Sequence, residues 1–281
     1  MSVDPGQLLP EKPRLAVGQY YQYRREAREF KARLATYAGD RVHTVPVGPV
    51  APPEIIETTA LMKRDELRLK SRRNVFHSSG YRAMRVFLEA AVGAGLRLDR
   101  ADAAFELGCG GARLIRHLRS VRGLRLVASD LQAEVIVWCK ENVPDVEFHM
   151  NGLMPPLGFA DDDSFDFAFA YSVFTHITMD LQLPWIAELA RVLKPGGLAT
   201  VTTLGTGMAR KMMSGEEFSE FQRQGTYTMN PEHPRVSESS AVLGSWDVFM
   251  TEDHLRALFE PAMQVVAYKD APQALVVLKK A

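Results

Sequence analysis

The chain of 281 residues contains only two cysteines, Cys109 and Cys139. They form no CxxC pair and have no Cys/His partner at zinc-binding spacing, which argues against a structural zinc module. The chain has no excess of either charge, with 34 Lys plus Arg against 34 Asp plus Glu. Without a global field it does not attract nucleic acid or an anionic membrane as a whole. No segment approaches the roughly 18 apolar residues of a membrane span. The first residues, MSVDPGQLLPEKPRL, carry no basic-then-apolar signal pattern. Internal repeats and low-complexity segments are also missing. These absences lead us to expect a cytoplasmic protein with no membrane span and no nucleic-acid partner. The 46% hydrophobic and 24% charged content is that of a globular fold.

The first hundred residues read as helical. In YYQYRREAREFKARLATYAGD (20–40), Tyr20, Tyr23, Phe30, Leu34 and Tyr37 share one helical stripe. VPVGPVAPPE (45–54) is a proline-rich connector. Helical patterns follow at 54–73 and 80–96. The basic run KRDELRLKSRR (63–73) reads as a solvated helix face, with a phosphate-bearing acceptor as the alternative.

From residue 101 the pattern alternates. Strand candidates are 102–108, 124–130, 145–151, 164–172 and 196–204, with helices expected at 111–121, 131–142 and 183–193. Alternation of this kind predicts a doubly wound, mainly parallel α/β sheet, with ligands at the C-terminal strand ends. The end of the chain reads as a helix capped by Thr251, then strands at 263–270 and 273–280. So short a connector allows an antiparallel hairpin but not a crossover, which makes seven strands. The long stretch 205–250 reads as a substrate-covering insertion after the fifth strand. We expect residues 1–79 to form a helical cap and 80–281 the α/β domain.

The stretch FELGCGGARL (105–114) bears on the ligand. Gly108 and Gly110 supply two glycines of G-x-G-x-x-G, but Arg113 takes the third glycine's place. No Gly-Lys-Ser/Thr follows, so this is not a P-loop. Glu106 precedes the turn, where a carboxylate repels a pyrophosphate and suits a cationic amino-acid tail. Asp130 ends the second strand, placed to accept hydrogen bonds from both ribose hydroxyls of an adenosine cofactor.

FELGCGGARLIRHL resembles motif I of the class I S-adenosylmethionine-dependent methyltransferases. The resemblance continues, in family order and spacing, through LVASDLQ, MNGLMPP, DDSFDFAFAYSVFTHI and ELARVLKPGGLATVTT, over residues 101–204. It implies an S-adenosyl-L-methionine cofactor, S-adenosyl-L-homocysteine as product, and an antiparallel last strand. It also implies that Gly108, Cys109 and Gly110 wrap the methionine part, and that Glu106 orients the loop or approaches the amino group. Asp130 would hold the ribose, and Leu131 would cover the adenine. Asn151, where the family often has aspartate, would face the adenine amino group, followed by Gly152 and Leu153. Tyr171 would lie beside the methionine tail.

Methyl transfer to a protonated oxygen or nitrogen benefits from a base, and histidine suits this near neutral pH. His176, in AYSVFTHI just after the fourth strand, is the candidate catalytic base. FHSSGYR (76–82) is expected to fold over the cofactor before the helix at 80–96, so that His77 and Tyr81 line the pocket and Arg82 pairs with the cofactor carboxylate. In GSWDVFMT, Trp246 and Asp247 are substrate candidates; Asp247 would bind a hydroxyl or act as a second base. His117 and His149 read as surface or sheet positions. The triple aspartate 161–163 reads as a solvated turn, and no metal ligand set is assigned. The expected activity is methylation of a small or medium-sized acceptor, a hydroxyl of a sugar, glycolipid or natural product. The alternatives are N-methylation of a small molecule, a protein or nucleic-acid methyltransferase, a non-catalytic cofactor binder and a nicotinamide oxidoreductase. A homo-oligomer is compatible with this reading.

Overall fold

The computed structural model describes residues 11–52, 55, 72–235, 246–270 and 273–281. The helix expected at 54–73 and its basic run lie almost wholly outside the described residues. Two long helices come first, α1 (Glu11–Ala38) and α2 (Arg72–Gly93). α2 carries residues on both sides of position 79. FHSSGYR is therefore inside a helix rather than before one.

Strands β1 (Ala103–Leu107), β2 (Arg125–Asp130), β3 (Glu147–Met150), β4 (Phe165–Ala170) and β5 (Leu193–Thr203) alternate with helices α3 (Ala133–Asn142) and α4 (Met179–Val192). β8 (Gln264–Lys269) and β9 (Ala274–Lys279) complete a seven-stranded sheet in the order β3-β2-β1-β4-β5-β9-β8. β1 to β5 pair in parallel, and β9 enters antiparallel between β5 and β8. This is the sheet expected from the sequence.

Side chains alternate across the strands and feed two cores. Phe167 and Phe169 of β4 face the layer that holds α1, α2 and α3. Phe165, Ala168 and Ala170 face α4 and α7 (Glu252–Phe259). Thr251 caps α7 by accepting from the His254 amide, as the sequence implies.

Between β5 and α7 the described part of the insertion forms α5 (Thr206–Met212), α6 (Gly215–Gln224) and a hairpin of β6 (Thr226–Met229) and β7 (Asp247–Met250). Leu204, Ala209, Phe221, Met229 and Phe249 give it a small core of its own. Two main-chain bonds tie the hairpin to the C-terminal edge of the large sheet. The Val248 amide donates to the Thr175 carbonyl, and the Met250 amide to the Leu204 carbonyl.

Two further elements differ from the sequence reading. β5 already begins at Leu193, whereas the sequence pattern ends the helix of 183–193 there and starts the strand only at 196. The chain bulges between its pairings with Phe165 and Phe167, and Lys194 bonds Asp166 and Asp102 there. The segment 111–121, with helical spacing, forms turns and a 3-10 helix (Ile115–Ser120) instead of an α-helix. The reason is competition for its main-chain groups. The fully buried Arg116 guanidinium donates to the carbonyls of Gly111 and Ala112 in this segment and to that of Pro49. Glu106 takes the Ile115 amide, and Ala112 adopts a left-handed φ of 52°.

α2 packs directly on this segment. A Cβ at Gly80 would overlap the Arg113 carbonyl oxygen and stand 2.6 Å from His117 Nε2. His117 is thus buried rather than a surface residue, and it stacks on Tyr81 at 3.9 Å. We expect Gly80→Ala to destabilise the protein by about 1–3 kcal/mol, the cost of overpacking against a backbone that cannot yield cheaply. Chemical denaturation would show the loss as a lower midpoint with an unchanged slope. An unchanged midpoint would mean that the helix shifts freely.

Candidate functional site

The glycine turn leaves β1 with two left-handed residues, Gly108 at φ 69° and Gly110 at φ 48°. Glycine adopts such angles without a steric penalty. At Gly108 there is also no room, because a Cβ would lie 2.5 Å from the Val173 side chain. The turn is held at three points. The Cys109 amide donates to the Ser129 carbonyl at 2.9 Å. The Gly110 amide donates to Asp130 Oδ2 at 2.8 Å, while Asp130 Oδ1 accepts from the Gln132 amide at 3.1 Å. The Asn151 amide bonds the Asp130 carbonyl at 3.1 Å. Asp130 therefore joins the ends of β1, β2 and β3.

Glu106 is buried behind the turn, its Oε2 accepting from the Ile115 amide at 3.0 Å. Burial pushes its carboxyl up to about 8, against the opposing effects of that amide and of Arg113. Burial also raises Asp130, against the amides of Gly110, Gln132 and Leu131. Arg113, in the third-glycine place, is buried with its guanidinium 4.7 Å from the centre of the Tyr171 ring.

One cavity at the C-terminal edge of the sheet gathers Gly108, Asp130, Leu131, Asn151, Gly152 and Leu153 with His176. Leu131 and Leu153 are half exposed at its mouth. Asn151 Nδ2 donates to the Gly152 carbonyl, and its Oδ1 is buried without a hydrogen-bond partner. That oxygen fits an incoming amino group. The cavity adds four residues that the sequence reading missed: Leu107, Val173, Ile177 and Trp185. Val173 and Ile177 flank His176 in the same motif, so adjacency could have suggested them. Trp185 comes from α4, its Nε1 donating to the Leu153 carbonyl at 3.0 Å, and no local signal marks it.

His176 lies between the sheet and the insertion. Its Nδ1 is 3.1 Å from the Trp246 carbonyl oxygen and 3.6 Å from Asp247 Oδ1. Asp247 is 1% exposed. It therefore stands behind the imidazole and not where a substrate hydroxyl would reach it, which corrects that expectation. Trp246 contributes its carbonyl here, while its side chain is partly exposed.

Four other expected site residues lie elsewhere. His77 and Tyr81 are buried between α1, α2 and the 3-10 segment, in contact with Tyr23, Phe30 and His117. They moved because FHSSGYR is a packed helix rather than a flap. Arg82 is on the exposed face of that helix. Tyr171 turns toward Arg113 and Phe87. Cys109 contributes main chain; its thiol is buried, and the Cys139 thiol beside it donates to the Gly110 carbonyl at 3.3 Å.

Because Glu106 titrates near 8 in the folded state and near 4.5 otherwise, the folded state holds the extra proton between those values. Stability from this group is therefore full below about 4.5 and declines as pH rises through 8. Urea unfolding at pH 5.5 and 8.5 should show a larger loss for the wild type than for Glu106→Gln. Equal losses would mean that Glu106 is ionised throughout.

Residues 105–201 match the family described as "Methyltransferase domain". The biotin biosynthesis bifunctional protein of Cellvibrio japonicus is 34% identical over 126 residues, covering 43% of this chain and 24% of the relative. The chain thus spans about a quarter of that relative's length. A solved protein from Pyrococcus horikoshii OT3 superposes with a TM-score of 0.52 at 18% identity, covering 73% of this chain and 93% of the other. The Burkholderia thailandensis 1,6-didemethyltoxoflavin-N1-methyltransferase, solved with 1,6-didemethyltoxoflavin and S-adenosylhomocysteine, gives 0.50 at 17% identity, covering 85% and 94%. At such identities the likeness is one of fold. The matched motifs, the strand order and the glycine turn together identify the chain as carrying a class I S-adenosylmethionine-dependent methyltransferase domain.

Proposed function

We propose that the protein transfers a methyl group from S-adenosylmethionine to a hydroxyl of a small or medium-sized acceptor, such as a sugar, glycolipid or natural product. The observation that carries this reading is His176. It lines the same cavity as Asp130 and Asn151 and is backed by the Trp246 carbonyl and the Asp247 carboxylate. A hydroxyl starts protonated, so its attack gains most from a base at this place.

The cavity's residues fit the cofactor. Asp130 offers acceptors for a ribose diol, Asn151 Oδ1 an acceptor for an adenine amino group, and Gly108 a surface without a side chain. The cofactor supplies an activated methyl group on a cationic sulfur. The protein's part is position and water exclusion. The packed core of the insertion, attached at Thr175 and Leu204, supports a cover over the acceptor side. The balanced charge disfavours a nucleic-acid acceptor. The free buried thiols suit the cytoplasm, where we place the protein. Among the described residues, no helix is long and apolar enough to cross a membrane.

Asp130→Ala should weaken S-adenosylmethionine binding by about 1–3 kcal/mol, the scale of hydrogen bonds to a charged group; unchanged affinity in calorimetry would remove the ribose role. With labelled S-adenosylmethionine and a panel of hydroxyl and amine acceptors, label should reach a hydroxyl. His176→Ala should slow that turnover roughly 100-fold or more, with cofactor affinity nearly intact. Transfer to an amine that is insensitive to His176 would favour N-methylation. No transfer with S-adenosylhomocysteine still bound would favour a binder.

A further inference from the structure

We infer that Asp247, together with the Trp246 carbonyl, is a positioning device for His176, supplied by the insertion and not by the methyltransferase sheet. The inference rests on the reading of His176 as the base. A carbonyl oxygen only accepts hydrogen bonds, so the 3.1 Å contact between His176 Nδ1 and the Trp246 oxygen requires a proton on Nδ1. In the neutral imidazole the basic lone pair is then on Nε2. Nδ1–H is the minor tautomer of a histidine in water, so something must select it. The two acceptors do so from one side of the ring.

Asp247 adds a charge to this arrangement. It is buried, 3.6 Å from Nδ1, on the first residue of β7. As the acceptor oxygen bonds the methyl carbon, its proton passes to Nε2, and the carbon–sulfur bond breaks with its electron pair going to sulfur. The ring becomes an imidazolium, and the carboxylate behind it stabilises that charge without taking the proton. The residues are 71 positions apart in the chain and meet because the hairpin is anchored. Val248, next to Asp247, bonds the carbonyl of Thr175, next to His176. One main-chain bond thus sets the spacing of both side chains. The insertion is then more than a cover, because the base is correctly oriented only when the hairpin is seated.

The test uses the full-length protein labelled with ¹⁵N-histidine and saturated with S-adenosylhomocysteine, so no acceptor is needed. Long-range ¹H–¹⁵N spectra should show neutral His176 as the Nδ1–H tautomer in the wild type. In Asp247→Asn the carboxamide can turn its NH₂ toward Nδ1, and the Nδ1–H population should fall at least two-fold. In a separate measurement with the hydroxyl acceptor that takes label in the panel above, the same variant should lower single-turnover rates about 10- to 100-fold, the scale of a mispositioned base, while S-adenosylhomocysteine affinity stays within about two-fold of wild type. An Nε2–H tautomer in the wild type would overturn the proposal, and that spectrum decides even if the variant does not fold. Equal Nδ1–H populations in wild type and variant would also overturn it. An Nδ1–H ring with a His176→Ala enzyme that still turns over would instead refute the base and leave the positioning geometry standing.

Discussion

The structure depends on how the segment from Gly108 to Arg116 is pinned by buried ionisable side chains, whose polar groups would cost far more if left unpaired. Asp130 takes the Gly110 amide, Glu106 takes the Ile115 amide, and Arg116 donates to the Gly111 and Ala112 carbonyls. Each is buried, and each bonds main chain. Those bonds remove the groups that an α-helix would use. They also fix the turn so that Gly108 lines the cavity.

This arrangement ties the N-terminal helices to the site without bringing them into it. Arg116 also reaches Pro49, and its guanidinium lies over Phe76 of α2. Gly80 lets α2 approach the same segment at backbone contact. The helices therefore support the turn from behind, through one shared core with the sheet. Burial lowers Arg116 to about 10 and drives His117 well below the ordinary histidine range, so the charge here is that of the arginines.

On the opposite side, the insertion approaches the strand ends after β4 and β5. It has a small core of its own, and its Asp247 carboxylate stands 3.6 Å from His176 Nδ1. The residues proposed for the cofactor come from turns that succeed one another in the sheet. The partners of His176 come from a hairpin inserted much later in the chain. The two halves of the candidate site therefore have different structural origins.

The sequence alone pointed to the mainly parallel seven-stranded sheet, to the antiparallel hairpin at its end and to most of the residues that line the cavity. These depend on local period, turn chemistry and a motif whose spacing is contiguous. Gly108, Asp130 and Asn151 were legible because a strand end places its next residue at the ligand, whatever packs around it. Tertiary structure decided the rest. It turned 111–121 from a helical pattern into a 3-10 turn, because buried Arg116 and Glu106 outcompeted helix hydrogen bonds. It withdrew His77, Tyr81 and Arg82 from the pocket, because FHSSGYR is helix and its apolar face packs against α1. It brought Trp185 into the cavity and Asp247 behind His176, contacts that span tens of residues and leave no periodicity to read.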